Sequence, residues 1–331
     1  MRSSRRWVGI GALAASVGCM PPLDSEPTVL AGPEHSASQL TVGGGYVHWI
    51  SVEDSSLRRV PVRGGVVERV ATSVHACAAD GGDVYCAARG TSASGSPLGG
   101  DVVLRLRGST ATTLPGVVSS GEVTALVVRG DALYGVAYRF RDAAEVFVVP
   151  KAGGTPRTLF VTVEPGPIAV DDTHLYYAPS SIQRVPLAGG VAETIHPGLT
   201  PYGTDTLTLT RDRVVFVSRP SLSATWPSVW SVPKVGGVAL EIARPHQQGT
   251  SAHGPFARAL LGAGDRVWFS SDEGGLWWVP ADGSGSPVQR AGKYKEPLFN
   301  GGYIPRPPSI ALADGQLFWN TERGAVLALA P

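Results

Sequence analysis

Charged residues are scarce, at 17% of the 331-residue chain, and helical periodicity is hard to find anywhere in it. That combination excludes an architecture of long, solvated surface helices. Formal net charge is only +1, and Arg2, Arg5 and Arg6 lie in a segment expected to be removed. A mature chain so close to neutral excludes the basic footprint of nucleic-acid binding. No apolar run is long enough to span a bilayer, the longest being Trp7 to Val17. Cysteine is limited to three residues, Cys19, Cys77 and Cys86. HExxH is absent, and so is the GxSxG of a nucleophile elbow, while the GGG at 43 precedes a strand and makes no phosphate cradle. Neither a metal nor a cofactor is therefore expected.

Glycine (42) and proline (27) are abundant instead. This is the composition of many short strands joined by tight turns. The N-terminus reads as a basic n-region, the short apolar run, and then Gly18-Cys19, the order of a secretory signal. Cys after Ser16-Val17-Gly18 resembles a bacterial lipobox, although Ser16 stands where Leu is usual. That resemblance implies a signal over 1–18, lipid on Cys19, a linker over 19–27 and one domain over 28–331. The expected location is the bacterial cell envelope, with Met20 favouring the outer membrane, and contact with the membrane is expected through the lipid alone. In such an oxidising compartment the remaining pair, Cys77 and Cys86, is expected to form a disulfide.

Seven segments share a turn followed by an apolar and aromatic burst, starting with GGYVHWI at 44 and ending with DGQLFWN at 314. With Val47, Val84, Leu133, Leu175, Val214, Val267 and Leu317 as anchors, the spacing averages about 45 residues, the length of a four-stranded propeller blade. Seven residues before each anchor stand Leu40, Cys77, Leu126, Ile168, Leu207, Leu260 and Ile310. Two residues after it stand Trp49, Cys86, Gly135, Tyr177, Phe216, Phe269 and Trp319. Constant spacing between the columns describes a fixed hairpin, with both faces expected to pack against neighbouring blades. A third strand follows in most units and ends in Val-Pro before a Gly-Gly turn, as in LRRVPVRGG at 57 and IQRVPLAGG at 182. The seventh unit has no fourth strand, and Pro27 to Ala31 is a candidate to supply it. The chain is thus read as all-β: a seven-bladed propeller of four antiparallel strands per blade, closed by an N-terminal strand. Six blades is the alternative.

A two-residue turn at Gly81-Gly82 sets Cys77 opposite Cys86 at a non-hydrogen-bonded site, with α-carbons about 4.5 Å apart. The repeats resemble the bacterial TolB-like and YWTD-like propeller families, especially lipoproteins with LYY…RVPLAGG units. The resemblance covers roughly residues 38–331 and implies the fold, not a substrate.

Function is expected on the face where blades join and strands two and three connect. Insertions fall there at Arg89–Gly100, Tyr138–Ala144, Arg219–Pro227, Arg244–Pro255 and Gly292–Pro307. They carry Trp226, His246, His253, Tyr294, Phe299, Tyr303 and Arg306, rings and cations suited to a protein or carbohydrate partner. Nine residues before each anchor stand Ser38, His75, Thr124, Gly166, Asp205, Arg258 and Pro308. This column begins strand one at the channel mouth, where His75, Asp205 and Arg258 offer a polar ring. The leading expectation is a non-catalytic binding module. The alternative is a lactonase-like hydrolase or a lyase using His75, Asp205 and Arg258.

Overall fold

The computed structural model describes residues 26–91, 97–119, 121–139, 143–197, 207–218, 227–244, 257–271, 275–292, 309–321 and 323–329. Seven antiparallel four-stranded sheets follow one another around a central channel. Blade 1 comprises β2 (Ala37–Gly43), β3 (Tyr46–Ser51), β4 (Leu57–Pro61) and β5 (Glu68–Ala71). Blade 2 comprises β6 (Val74–Ala79), β7 (Val84–Thr91), β8 (Pro97–Arg107) and β9 (Thr110–Val118). Blade 3 comprises β10 (Glu122–Arg129), β11 (Ala132–Tyr138), β12 (Ala144–Pro150) and β13 (Arg157–Thr162). Blade 4 comprises β14 (Ile168–Val170), β15 (His174–Tyr177), β16 (Ile182–Pro186) and β17 (Glu193–His196). Blade 5 comprises β18 (Leu207–Leu209), β19 (Arg213–Ser218), β20 (Ser228–Pro233) and β21 (Leu240–Ala243). Blade 6 comprises β22 (Ala257–Ala263), β23 (Arg266–Ser271), β24 (Leu276–Pro280) and β25 (Val288–Ala291). Blade 7 comprises β26 (Ile310–Ala313), β27 (Gln316–Asn320) and β28 (Val326–Leu329), completed by β1 (Thr28–Ala31).

Closure is the expected one. β1 pairs antiparallel with β28, Thr28 opposite Ala328, so both ends of the chain share one sheet and no seam is left open. Asn320 reinforces the junction by donating to the Ala37 carbonyl at 3.0 Å. All the described strands lie between Thr28 and Leu329.

In six blades the two columns are cross-strand partners: Cys77 faces Cys86, Leu126 Gly135, Ile168 Tyr177, Leu207 Phe216, Leu260 Phe269 and Ile310 Trp319, whereas in blade 1 the register slips between the Ser38–Ile50 and Thr41–His48 pairs and passes over Leu40 and Trp49. Gly135 departs from the aromatic norm because its next-strand partner is Phe147, which is fully buried and occupies the space a methyl at 135 would need. Cys77 and Cys86 are bonded, with α-carbons 4.2 Å apart. The turn forms as expected, Asp80 N–H donating to the Asp83 carbonyl and Asp83 N–H to Oδ1 of Asp80.

Two expectations change. The Arg89–Gly100 insertion is largely an extension of the β7–β8 hairpin, whose ladder runs out to Thr91 opposite Pro97. The first column also does more than pack between blades, because it lines the central channel.

The Val-Pro strands carry a second repeated device, two residues before the proline. Arg59 reaches the Gly108 carbonyl, Arg184 the Lys234 carbonyl at 3.0 Å, and Ser231 the Ala281 carbonyl at 2.6 Å. Each receiving carbonyl lies just after the third strand of the next blade. Each donor therefore latches one blade to its successor. Arg59 and Arg184 are also paired with a glutamate on their own outer strand, Glu68 and Glu193.

Candidate functional site

The channel holds a cavity of about 190 Å3 to which all seven blades contribute. Leu40, Leu126, Ile168, Leu207, Leu260 and Ile310 ring it, each 6–8% exposed, and Cys77 takes the seventh place. The girdle is thus aliphatic except where the disulfide interrupts it.

At the mouth, strand one of several blades bulges at the column nine residues before the anchor. In β6 Val74 pairs with Ala88 and Ala76 with Ala87, leaving His75 as the extra residue. Thr124 in β10 and Arg258 in β22 occupy the same position. A bulge releases its residue from the alternation of the strand and re-aims the side chain. Ser38 and Thr124 spend their hydroxyls locally, donating to the carbonyls of Ile50 and Val136.

His75 instead meets two carboxylates. Nε2 lies 3.7 Å from Oδ1 of Asp101, and Nδ1 lies 3.7 Å from Oε1 of Glu122. Both distances suit a charge contact and exceed a hydrogen bond. Nε2 is buried and has no hydrogen-bond partner among the described residues. Asp101 is itself buried, and its Oδ2 accepts the Val123 N–H at 2.8 Å, tying blade 2 to blade 3. Burial raises its pKa above the ordinary aspartate value, against the pull of the Val123 N–H and His75. The backbone fits tightly here. Asp101 N–H donates to Ser119 Oγ, Ser119 N–H returns to the Asp101 carbonyl, and a Cβ at Gly100 would overlap Ser119. Glu122 opens β10 and is exposed. The two carboxylates beside the ring give the mouth a local negative charge that can attract a cationic group.

The neighbours of His75 are Asp101 and Glu122, which column spacing did not single out. The one signal for them is connectivity: Asp101 follows the insertion of its own blade, and Glu122 begins the next blade beside it. Asp205 lies outside the described residues, as does the side chain of Arg258. Trp226, His246, His253, Tyr294, Phe299, Tyr303, Arg306 and Cys19 also lie outside the described residues.

On the opposite face the short turns are joined by ion pairs between consecutive blades, Arg129 to Asp172 at 2.7 Å and Arg211 to Asp265 at 3.6 Å. Here the polar groups are matched across blades, whereas the mouth leaves His75 Nε2 unmatched.

No protein-family profile matches the chain, and no curated protein matches it by sequence. Solved structures do. YCF48 bound to D1 peptide is 11% identical over 93% of this chain and 96% of its own, with a TM-score of 0.63. YCF48 from Cyanidioschyzon merolae is 10% identical over 93% and 99%, with a TM-score of 0.60. The β-propeller domain of the Trilobed protease from Pyrococcus furiosus is 8% identical over 88% and 93%, with a TM-score of 0.58. At such identity these likenesses establish that the chain shares the β-propeller fold, and they establish nothing finer.

Proposed function

We propose that this chain is an exported propeller, held at a bacterial envelope membrane by lipid on Cys19, that binds a protein segment or a glycan without catalysis. The observation that carries the reading is the asymmetry of its two faces. On one face the turns are tight, as from Gly43 to Tyr46 and from Arg129 to Ala132. On the other the chain runs from His196 to Leu207, from Ser218 to Ser228, from Ala243 to Ala257 and from Ala291 to Ile310 between strands. Long connections gathered at one end of a rigid scaffold are where recognition concentrates. Trp226, His246, His253, Tyr294, Phe299, Tyr303 and Arg306 all belong to these connections. The solved YCF48 propeller bound to a peptide favours a protein segment over a glycan as the first class to screen.

The test is binding of residues 26–331 to immobilised peptide and glycan libraries, beside a Tyr303→Ala, Arg306→Ala variant and a Trp226→Ala variant. A ligand whose affinity falls about tenfold or more in either variant supports the reading. Ligands bound equally well by all three proteins overturn it. Membrane fractionation of a Cys19→Ala variant tests the anchor separately, a soluble product being expected.

The contacts of His75 with Asp101 and Glu122 favour one second reading, a hydrolase or lyase with His75 as general base and Asp205 and Arg258 as further members. Turnover of lactone or uronate-type substrates that is abolished by His75→Ala would put that reading first.

A further inference from the structure

Single exposed valines are ordinary on a protein surface, but here they recur at one place in the blade. The turn from the third to the fourth strand ends in Gly-Gly-Val in blades 1, 4 and 5, at Val66, Val191 and Val238. With Val235, just ahead of the last Gly-Gly pair, these valines are 75 to 90% exposed. Both glycines of every pair have positive φ, so one turn is used three times. All four valines lie on the face of tight turns. Blade 1 stands across the channel from blades 4 and 5 in the ring of seven, so a plane laid on this face meets valines on both sides of the axis.

The start of the first strand says what that plane is. β1 is the outer strand of blade 7 and sets Thr28 opposite Ala328, while Leu329, next along, pairs with Leu317 just past the Asp314–Gly315 turn. β1 therefore begins at the tight-turn face and runs away from it. It also passes beside the valine-bearing turn of blade 1, since a Cβ at Gly64 would lie 3.8 Å from Leu30. Cys19 and Thr28 are nine residues apart, a reach of about 30 Å at most. The seven residues of β2 already rise through about 23 Å, so a tether of that reach holds the tight-turn face, and not the opposite one, against the membrane.

Much of the charge on this face is paired within it: Arg129 with Asp172, Lys151 with Asp80 at 2.7 Å, Lys234 with Asp171 at 3.0 Å and Arg107 with Asp83 at 2.8 Å. Contact with a bilayer then depends on apolar tips more than on lipid charge. We propose that the tight-turn face rests on the bilayer surface, with Val66, Val191, Val235 and Val238 entering its apolar boundary and the long connections turned away from the membrane. This contact is additional to the lipid on Cys19 and rests on the anchored-propeller reading. Each valine contributes little alone, but the tether makes the contact intramolecular, so weak tips suffice.

Fluorescence quenching of the full-length chain tests it. The protein is purified from the membranes of a bacterium that acylates lipoproteins and reconstituted in vesicles of phosphatidylethanolamine and phosphatidylglycerol. An environment-sensitive dye is placed on Val66→Cys, Val191→Cys or Val238→Cys, Cys77 and Cys86 being bonded to each other. Val163→Cys is the control, 81% exposed just past the end of β13 on the opposite face. Lipids brominated high in the acyl chain should quench the dye at the three turn positions and leave Val163→Cys bright. Val191→Ser with Val238→Ser should reduce the quenching at Val66→Cys, and added salt should not. A protein that fails to float with the vesicles refutes the anchor and the inference together. A protein that floats while its turn positions are quenched no more than Val163→Cys keeps the anchor and overturns the inference alone. Quenching that the two serines leave unchanged, or that salt removes, overturns it as well.

Discussion

Replacing Arg59 by alanine removes one of the latches between blades, and the cost can be worked out from its contacts. The side chain is 6% exposed, two of its N–H groups converge on Oε2 of Glu68 at 2.8 and 2.7 Å, and a third reaches the Gly108 carbonyl of blade 2. Its guanidinium carbon lies 4.1 Å from the centre of the Tyr46 ring. The Glu68 carboxylate is half exposed and rehydrates when its partner leaves, so the ion pair contributes under about 1 kcal/mol. The charged donor to the Gly108 carbonyl contributes about 1.5 kcal/mol, and the cation over the ring about 1 kcal/mol. Arg59→Ala is therefore expected to destabilise by about 3 kcal/mol. For a propeller of this size, whose unfolding entropy is roughly 0.6 kcal/mol per kelvin, the melting temperature should fall by about 5 °C. Arg184 is the internal control. It has the same glutamate pairing and the same reach to the next blade, but its side chain is 19% exposed. Arg184→Ala should lower the melting temperature by about half as much. Thermal unfolding followed by circular dichroism measures both. If Arg184→Ala costs as much as Arg59→Ala, or if neither shifts the transition, the latch is not an energetic element of the blade junction.

Three further outcomes follow from the core. Reduction of Cys77–Cys86, or replacement of both by serine, frees a short loop and should cost about 2 to 3 kcal/mol, read as a lower denaturation midpoint. His48 is buried, and desolvation first and the Arg59 charge second lower its pKa from 6.5 to about 4. As pH falls from 6.5 toward 4 the unfolded chain takes up a proton there while the folded chain does not. Stability should therefore decline across that window by up to about 3 kcal/mol, and a His48→Gln variant should show a flatter profile under urea titration. Gly135→Ala drives a methyl into the Phe147 ring and should destabilise by about 1 to 3 kcal/mol, with Phe147→Leu in the same chain recovering much of the loss.

The architecture was legible because a propeller repeats its hairpin at constant spacing, and constant spacing survives in a bare sequence. Val47 to Leu317 marked seven blades, Gly81-Gly82 fixed the register that sets Cys77 opposite Cys86, and a seventh unit with three strands matched the spare strand that precedes the first unit, β1. Even the exception at Gly135 followed the register, its space being taken by Phe147 one strand further out. What stayed hidden depends on contacts between repeats. The RVP units of Arg59 and Arg184 read as strand endings, and nothing in their own blades shows that they reach a carbonyl about fifty residues downstream. Ser231 performs the same reach with a different side chain, so the device is conserved in position and not in letter.

The channel mouth shows why site residues are harder to read than blades. Counting back nine residues located His75, yet the count treats a strand as regular, and β6 is irregular at that residue. A bulge preserves the spacing of the anchors while redirecting the side chain, so the residue is found and its surroundings are not. The redirected ring reaches Asp101 across its own blade and Glu122 at the start of the next. Asp101 in turn spends one oxygen on the Val123 N–H, which makes it a structural tie before it is anything else. That double commitment separates the two readings of the mouth. A carboxylate needed only for the tie would tolerate Asp101→Asn, because an amide oxygen still accepts from Val123. A carboxylate that supports His75 chemically would not. If Asp101→Asn keeps the native melting temperature and ligand affinity, the mouth is scaffold and recognition belongs to the long connections. If stability is kept while a His75-dependent activity disappears, the carboxylate acts on the histidine and the mouth is the site.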